Sequence, residues 1–397
     1  VDLDTSAELA AFRAEVAAFI RAEAPGRRTS AGVRAPEPDQ LPAIRAWIGR
    51  LFAAGYLGRS WPVEQGGLAD PRPEPAFIVA EELARARSWG QIGAGGLAAS
   101  ALLAFGTPAQ QQHFLPRIRS GTDLWCQLFS EPEAGSDLAG LRTRARRDGD
   151  HYVVDGQKVW TTNGQHADVG YLLARTDPDA PKRRGITAFA LDMRAPGVQI
   201  RPLREITGTT DFNEIFLDGV RIPADRVIGA VNDGWRVATS SLGHERSSVA
   251  AHSAELMVEL DDLVALARHP MVDGDLPLEH EATRVRLGRV ATHARVAALV
   301  SQALQSQIAA GTDHPIGPAV AKIAYSEANL EAVELGLELR GPDGIAVAGD
   351  EHAADGGYWP DAWLYARAYT IAGGANEVLR TMIAERGLGL PRPGSGE

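Results

Sequence analysis

The sequence predicts an α+β chain: a run of helices, then a compact antiparallel β domain, then helices to the end. Three observations carry that prediction. Apolar residues recur at helical spacing through the first third, the pattern changes near residue 124 to short runs of strand formers, and the helical period returns from about Gly234. The expected domains are 1–123 (all-α), 124–232 (β) and 233–397 (helical bundle).

The first helix sets Leu9, Phe12, Val16, Phe19 and Ile20 at helical spacing, with Thr5 and Glu8 as a capping box and Pro25-Gly26 as its stop. Further helices are expected over 41–54, 74–87 and 109–118, the last closed by Ser120-Gly121. The longest uncharged stretch, 88–112, has an apolar heart (92–105) too short to cross a bilayer, so it reads as a buried helix and no membrane insertion is expected. In the middle, 124–129 reads as a strand. Tyr152-Val153-Val154 and Lys158-Val159-Trp160 read as a hairpin turning at Asp155-Gly156, since Asp-Gly suits a type I′ turn. Strands are also expected over 169–174, 185–191, 198–202 and 213–220, and long helices over 235–268, 279–310, 316–339 and, beyond a loop, 376–386.

Composition narrows the function. With 40 Lys and Arg against 51 Asp and Glu the net charge is −11, which argues against a nucleic-acid partner. A hydrophobic fraction of 45% provides ample core and excludes a disordered chain. The single Cys126 excludes an internal disulfide and any cysteine-based zinc or iron–sulfur site, and with no basic, apolar leader at the N-terminus a cytoplasmic home is expected. The histidines offer no metal spacing: His244-Glu245 resembles the start of HExxH, but position 248 is serine, so no metal is assigned. The GAGGLA run at 93–98 fits the letters of a dinucleotide fingerprint but has no strand before it, and reads as small residues in a packed helix.

Two segments invite a ligand. SEPEAGSD (130–137) follows a strand and is dense in hydroxyl and turn residues; it is either a surface loop or a loop facing a polar ligand. Arg142, Arg144, Arg146 and Arg147, with Lys182, Arg183 and Arg184, form basic islands in an acidic chain. The preferred reading is an edge strand protected by charge, and the alternative is attraction of a phosphate-bearing ligand.

Five segments, in order, resemble the acyl-CoA dehydrogenases: SEPEAGSD, GQKVWTTNG (156–164), FNEIFLDGVRIPADRVIG (212–229), LGHER (242–246) and AGGANEVLRTMIAERGLGLP (372–391). The resemblance spans nearly the whole chain. It implies a helical domain, a middle β domain and a C-terminal four-helix bundle, with FAD between the last two. The implied activity is α,β-dehydrogenation of an acyl-CoA to the trans-2-enoyl-CoA. A carboxylate takes the α proton and the β hydrogen leaves as hydride to flavin N5. In many relatives that carboxylate lies in a C-terminal Tyr-Glu-Gly-Thr; here the stretch is Ala372-Gly373-Gly374-Ala375, and glycine cannot take a proton. A subset including isovaleryl-CoA dehydrogenase puts Glu, followed by Arg, on the first helix of the C-terminal domain, which Glu245-Arg246 matches.

The resemblance implies that Gln127, Phe129, Ser130, Trp160 and Thr162 meet the flavin side, that Gly373, Gly374 and Glu377 belong to the FAD site, that Ser136 meets the CoA moiety, and that Arg246 either orients the base or meets the CoA chain. It also implies a carrier such as an electron-transfer flavoprotein as electron acceptor. The Arg-x-x-Phe-Gly segment of homotetrameric relatives is missing from 267–274, and Ala375 replaces the usual Thr. A homo-oligomer and an α2β2 heterotetramer with a second, related subunit are therefore both open. The rival activities are a flavin monooxygenase or N-oxygenase on the same fold, and a non-catalytic subunit. The presence of Glu245 counts against both.

Overall fold

The computed structural model describes residues 6–242, 247–271, 274–351 and 353–391. Helices α1 (Ala7–Glu23), α2 (Leu41–Ala53), α3 (Glu74–Arg85), α4 (Gly95–Phe105) and α5 (Pro108–Arg119) come first. Strands β1 (Trp125–Leu128), β2 (Arg144–Asp148), β3 (His151–Thr162), β4 (Val169–Arg175), β5 (Ile186–Asp192), β6 (Val198–Leu203), β7 (Phe212–Pro223) and β8 (Val227–Ile228) follow. Helices α6 (Gly234–Leu242), α7 (Ser247–Ala267), α8 (Glu281–Ala309), α9 (Gly317–Leu339), α10 (Tyr358–Ile371) and α11 (Asn376–Met382) complete the order, with a π-helical turn at Ile383–Gly387. The helix–β–helix order expected from the sequence is the order that forms.

The chain packs as two compact units: Val1–Gly32, Arg72–Ser88 and Arg246–Glu397 make one, and Val33–Pro71 with Trp89–Glu245 make the other. In the second, the eight-stranded sheet runs β6-β7-β3-β2-β4-β5-β8, with β1 added to β4. Most pairs are antiparallel as expected, but β1 runs parallel to β4, and β2 meets β4 in parallel at Arg144 and Arg175. Strands β4 and β5 are mostly apolar because both faces are buried up to their last residues, Arg175 and Asp192. Tyr171, Leu173, Ile186, Ala188 and Ala190 face α4, α5 and α6, while Leu172, Ala174, Phe189 and Leu191 face Val154, Ile215, Leu217 and Val220 of β3 and β7. Cys126 sits in that inner layer, and burial pushes its thiol up to about 12, out of reach of thiolate chemistry.

Several local expectations are corrected. Asp155-Gly156 is not a turn: it lies within the 12-residue strand β3, at an irregularity in the pairing with β7. A side chain at 156 would run into Thr143, its Cβ only 2.4 Å from Oγ1, so glycine is there for close approach. The true hairpin joins β2 to β3 one turn earlier, with Asp148 opposite His151 and Gly149 at φ +60°. Helix α1 is capped by Ser6, whose Oγ accepts from Leu9 N; Thr5 lies outside the described residues. Thr107 and Gln110 form a capping box on α5 that the reading missed. Helix α10 was also missed, although Trp359, Ala362, Tyr365 and Ala366 are its buried stripe.

In the other unit, α7, α8, α9 and α10 form a four-helix bundle around Leu256, Leu263, Ala294, Ala332, Val333 and Trp359. Helix α3 packs along α7, and Arg13 of α1 bridges to Glu81 and Glu82 of α3 at 2.6 Å each. Glu259 sits at the bundle's centre, 5% exposed, accepting from Tyr358 OH (2.8 Å) and Asn329 Nδ2 (2.7 Å). Burial lifts its pKa to about 7, against the pull of the Tyr358 hydrogen bond. The buried Asn329 Oδ1 has no partner, and turning that amide over gives the carboxyl proton an acceptor. A folded-state value above the unfolded one (about 4.3) means that the native state holds this proton more tightly. The stability it contributes is full below about pH 4 and is lost as pH rises through about 7. Thermal unfolding between about pH 5 and 8 is expected to show that fall, and Glu259→Gln to flatten it. An unchanged slope in the variant would refute the assignment.

Candidate active site

Strand β3 ends in a distorted edge. The pairing with β7 slips between Lys158 and Thr161, and Trp160 and Asn163 both take left-handed conformations (φ +59° and +54°). Such backbone is costly for a residue with a side chain and gathers at functional sites. Its consequence here is that Trp160 turns outward, 61% exposed, with its ring edge-on to Phe212 at 6.1 Å. Thr162, half-buried, follows on the same edge.

The segment after β1 lies alongside. Val159 N donates to Ser130 O at 3.0 Å, which sets the half-buried Ser130 beside Trp160. Phe129 is buried edge-on to Tyr171 at 5.0 Å, and Gln127 of β1 is half-buried. The structure thus brings Ser130 beside the Trp160–Thr162 end of β3, with Phe129 buried next to Ser130 in the chain. Beneath them lies a pair that the sequence reading missed. Lys158 is wholly buried and donates to Glu131 Oε1 at 2.8 Å and to Phe129 O at 3.0 Å. Burial pulls the Lys158 pKa down to about 8 against the opposing carboxylate. For Glu131 burial alone would raise the pKa, but Lys158 and the backbone donors hold it below the usual carboxylate range.

Ser136 is exposed, in the turn leading to a pocket of 420 Å³ walled by Arg142, Arg144, Arg175 and Lys182 with Glu133 and Asp137. Arg175 is committed to the wall itself, donating to the carbonyls of Ala139, Leu141, Lys182 and Arg184. Lys182 pairs with Asp137 at 2.7 Å. Arg142 and Arg144 line the pocket and are exposed. Arg147 instead caps the β2–β3 hairpin through Gly149 O. The basic island is therefore split between a pocket-lining part and a structural part, and β2 is not an edge strand in the sheet order.

In the bundle unit, Gly373 and Gly374 have φ of +66° and +101°, and a Cβ at 373 would meet nothing within 4 Å. Lys322 of α9 braces this loop, donating to Gly374 O (2.8 Å) and to Asn376 Oδ1 (2.7 Å), while Asn376 Nδ2 reaches Ser326 Oγ (3.0 Å). Burial pulls Lys322 down to about 8, opposed by Glu377 and Glu327. Glu377 is exposed on the first turn of α11. Glu245 and Arg246 lie outside the described residues. Among the described residues no cluster of His, Cys, Asp or Glu could hold a metal ion, and no helix is long and apolar enough to cross a membrane.

An aromatic shelf on a strained strand edge, a neighbouring hydroxyl loop and a basic pocket describe a scaffold for a large planar cofactor and a phosphate-bearing substrate. Models of the acyl-CoA dehydrogenase N-terminal, middle and C-terminal domains match residues 6–122, 126–220 and 232–388, and the chain belongs to that family. It is 39% identical to the acyl-CoA dehydrogenase IpdE1 of Mycobacterium tuberculosis, over 97% of this chain and 98% of that one. Among solved structures it resembles the Tcur3481-Tcur3483 steroid ACAD (TM-score 0.89, 29% identity, 99% and 100% covered). It also resembles the ChsE4-ChsE5 complex of Mycobacterium tuberculosis (TM-score 0.86, 29% identity, 99% and 100% covered). The protein is a FAD-dependent acyl-CoA dehydrogenase. The exposed Trp160 indole on β3, held by a left-handed backbone, is a surface of the kind that a planar flavin ring covers.

Proposed function

We propose that this enzyme dehydrogenates a bulky, polycyclic acyl-CoA between its α and β carbons, with Glu245 as the α-proton base. The observation that carries this is Gly373: the loop position where many relatives hold the base is bare backbone with open space around it. The substrate class is supported by the steroid ACAD that the fold matches. The two-subunit names of both structural relatives support an α2β2 assembly with a second, related subunit.

FAD, when bound, supplies the acceptor for the two electrons that leave with the β hydrogen. The chain's own residues do the rest. Phe129, Ser130, Trp160 and Thr162 bind the flavin side, with Gln127 behind them, and Gly373, Gly374 and Glu377 hold the remainder of the cofactor. Exclusion of water by the bound cofactor and substrate keeps the Glu245 carboxylate basic toward a weak carbon acid. Arg246 and Ser136 hold the thioester's CoA arm, and Arg142 and Arg144 take its phosphates.

Arg142→Ala with Arg144→Ala is expected to raise KM for acyl-CoA about tenfold, the loss of roughly one charge-assisted contact, and to leave the flavin spectrum unchanged. An unchanged KM would remove the phosphate role. The function itself is tested by anaerobic bleaching of the flavin with an acyl-CoA panel, with and without the partner subunit. Reduction by steroid-side-chain thioesters and not by straight-chain ones is expected, and the reverse preference would overturn the substrate reading.

A further inference from the structure

Lys158 and Glu131 sit under the flavin-facing edge with almost no access to solvent, at 0% and 7% exposure. Taking two charges out of water is costly, so such a pair needs every remaining hydrogen bond satisfied. The chain meets that demand in a particular way. Lys158 Nζ holds Phe129 O as well as the carboxylate, while Glu131 accepts from Arg142 N (2.6 Å) and Thr143 N (2.9 Å). The turn after Glu131 closes on itself through two backbone bonds with Ala134. One ion pair thus fastens three separate stretches of chain: the loop from Phe129, the arm at 142–143 and strand β3.

The neighbours of these anchors are the residues of the proposed site. The buried Phe129 and half-buried Ser130 precede Glu131, the exposed Trp160 and half-buried Thr162 follow Lys158, and the exposed Arg142 and Arg144 stand on the fastened arm. An apolar pair of equal volume would fill the space but could neither accept from the 142–143 backbone nor hold Phe129 O. We propose that Glu131 and Lys158 are positioning residues that set the flavin-facing edge and the CoA-facing arm in one fixed relation. This rests on the reading that Phe129, Ser130, Trp160 and Thr162 meet the flavin.

The test uses the full-length holoenzyme carrying Glu131→Gln, Lys158→Met or both. Each single variant strands a buried charge and is expected to lower the unfolding temperature. Each is also expected to alter the visible circular dichroism of the bound flavin and to lose FAD at least tenfold faster on dilution. The double variant removes both charges and is expected to recover much of the thermal stability, while its flavin dichroism stays altered and its FAD loss stays fast. A double variant with wild-type dichroism and FAD retention would reduce the pair to a structural ion pair and overturn the proposal. Glu131→Asp keeps the charge but withdraws it by one methylene. It reads the same two signals if the singles fail to fold, with the same outcomes deciding. Trp160→Ala is the control: if it leaves the flavin dichroism untouched, the flavin-edge reading fails rather than the positioning role.

Discussion

Glu245→Gln is expected to leave FAD bound and to slow flavin bleaching by acyl-CoA by about 10²–10⁴-fold, the usual contribution of a general base. Glutamine keeps the size of the side chain and removes the proton acceptor. The α C–H of a thioester is too weak an acid to ionise without a carboxylate held against it in a dry site. No second carboxylate is in place at the loop position of the family, because Gly373 stands there. Stopped-flow mixing with saturating substrate separates reduction from binding. Reduction at the wild-type rate would sink the assignment.

Asp211→Ala is expected to cost about 3–5 kcal/mol, the usual penalty for breaking a buried ion pair from one side. Asp211 is 4% exposed, and Arg34, 5% exposed, donates to it at 3.1 Å. Its carboxylate also accepts from Ala35 N (2.6 Å) and Thr209 Oγ1 (2.7 Å), and its carbonyl accepts from Asn163 N (2.9 Å). It therefore ties the segment entering α2 to the loop before β7 and to the turn after Thr162. Thermal unfolding should drop by on the order of 10 °C. Acrylamide quenching should also change at Trp160, whose neighbour Phe212 follows Asp211 directly. A shift within the measurement error would show that the pair carries little.

The parts legible in the sequence were those set by local pattern. Helical spacing in 41–54 and 316–339, and apolar runs in 169–174 and 185–191, each found their element because one period decides it. Asp155-Gly156 misled because a turn dipeptide carries two signals, conformational freedom and absence of bulk, and only the approach of Thr143 shows which applies. The parallel placement of β1 is invisible locally, since strand direction is fixed by a partner more than 40 residues away in sequence. The site followed the same division. Trp160 and Ser130 were named through motif resemblance, and the structure sets them side by side. Their supports Glu131 and Lys158, 27 residues apart, belonged to the quoted motifs, but nothing local pairs one with the other. Lys322 and Asn376 escaped for the same reason: their role appears only once α9 meets the 373–376 loop.

The division of the chain into units has a bearing on its biosynthesis. The sheet-bearing unit is complete once the ribosome has reached residue 245, because all its segments lie before that point. The bundle unit has α1 and α3 made early, where they can pack on each other, yet α7, the partner of α3, begins only at Ser247. During translation the α7-facing side of α3 waits while more than 150 residues between Ser88 and Arg246 are added. Vectorial synthesis therefore supplies every segment of the sheet unit first, and leaves the α1–α3 pair without its bundle until the last third emerges.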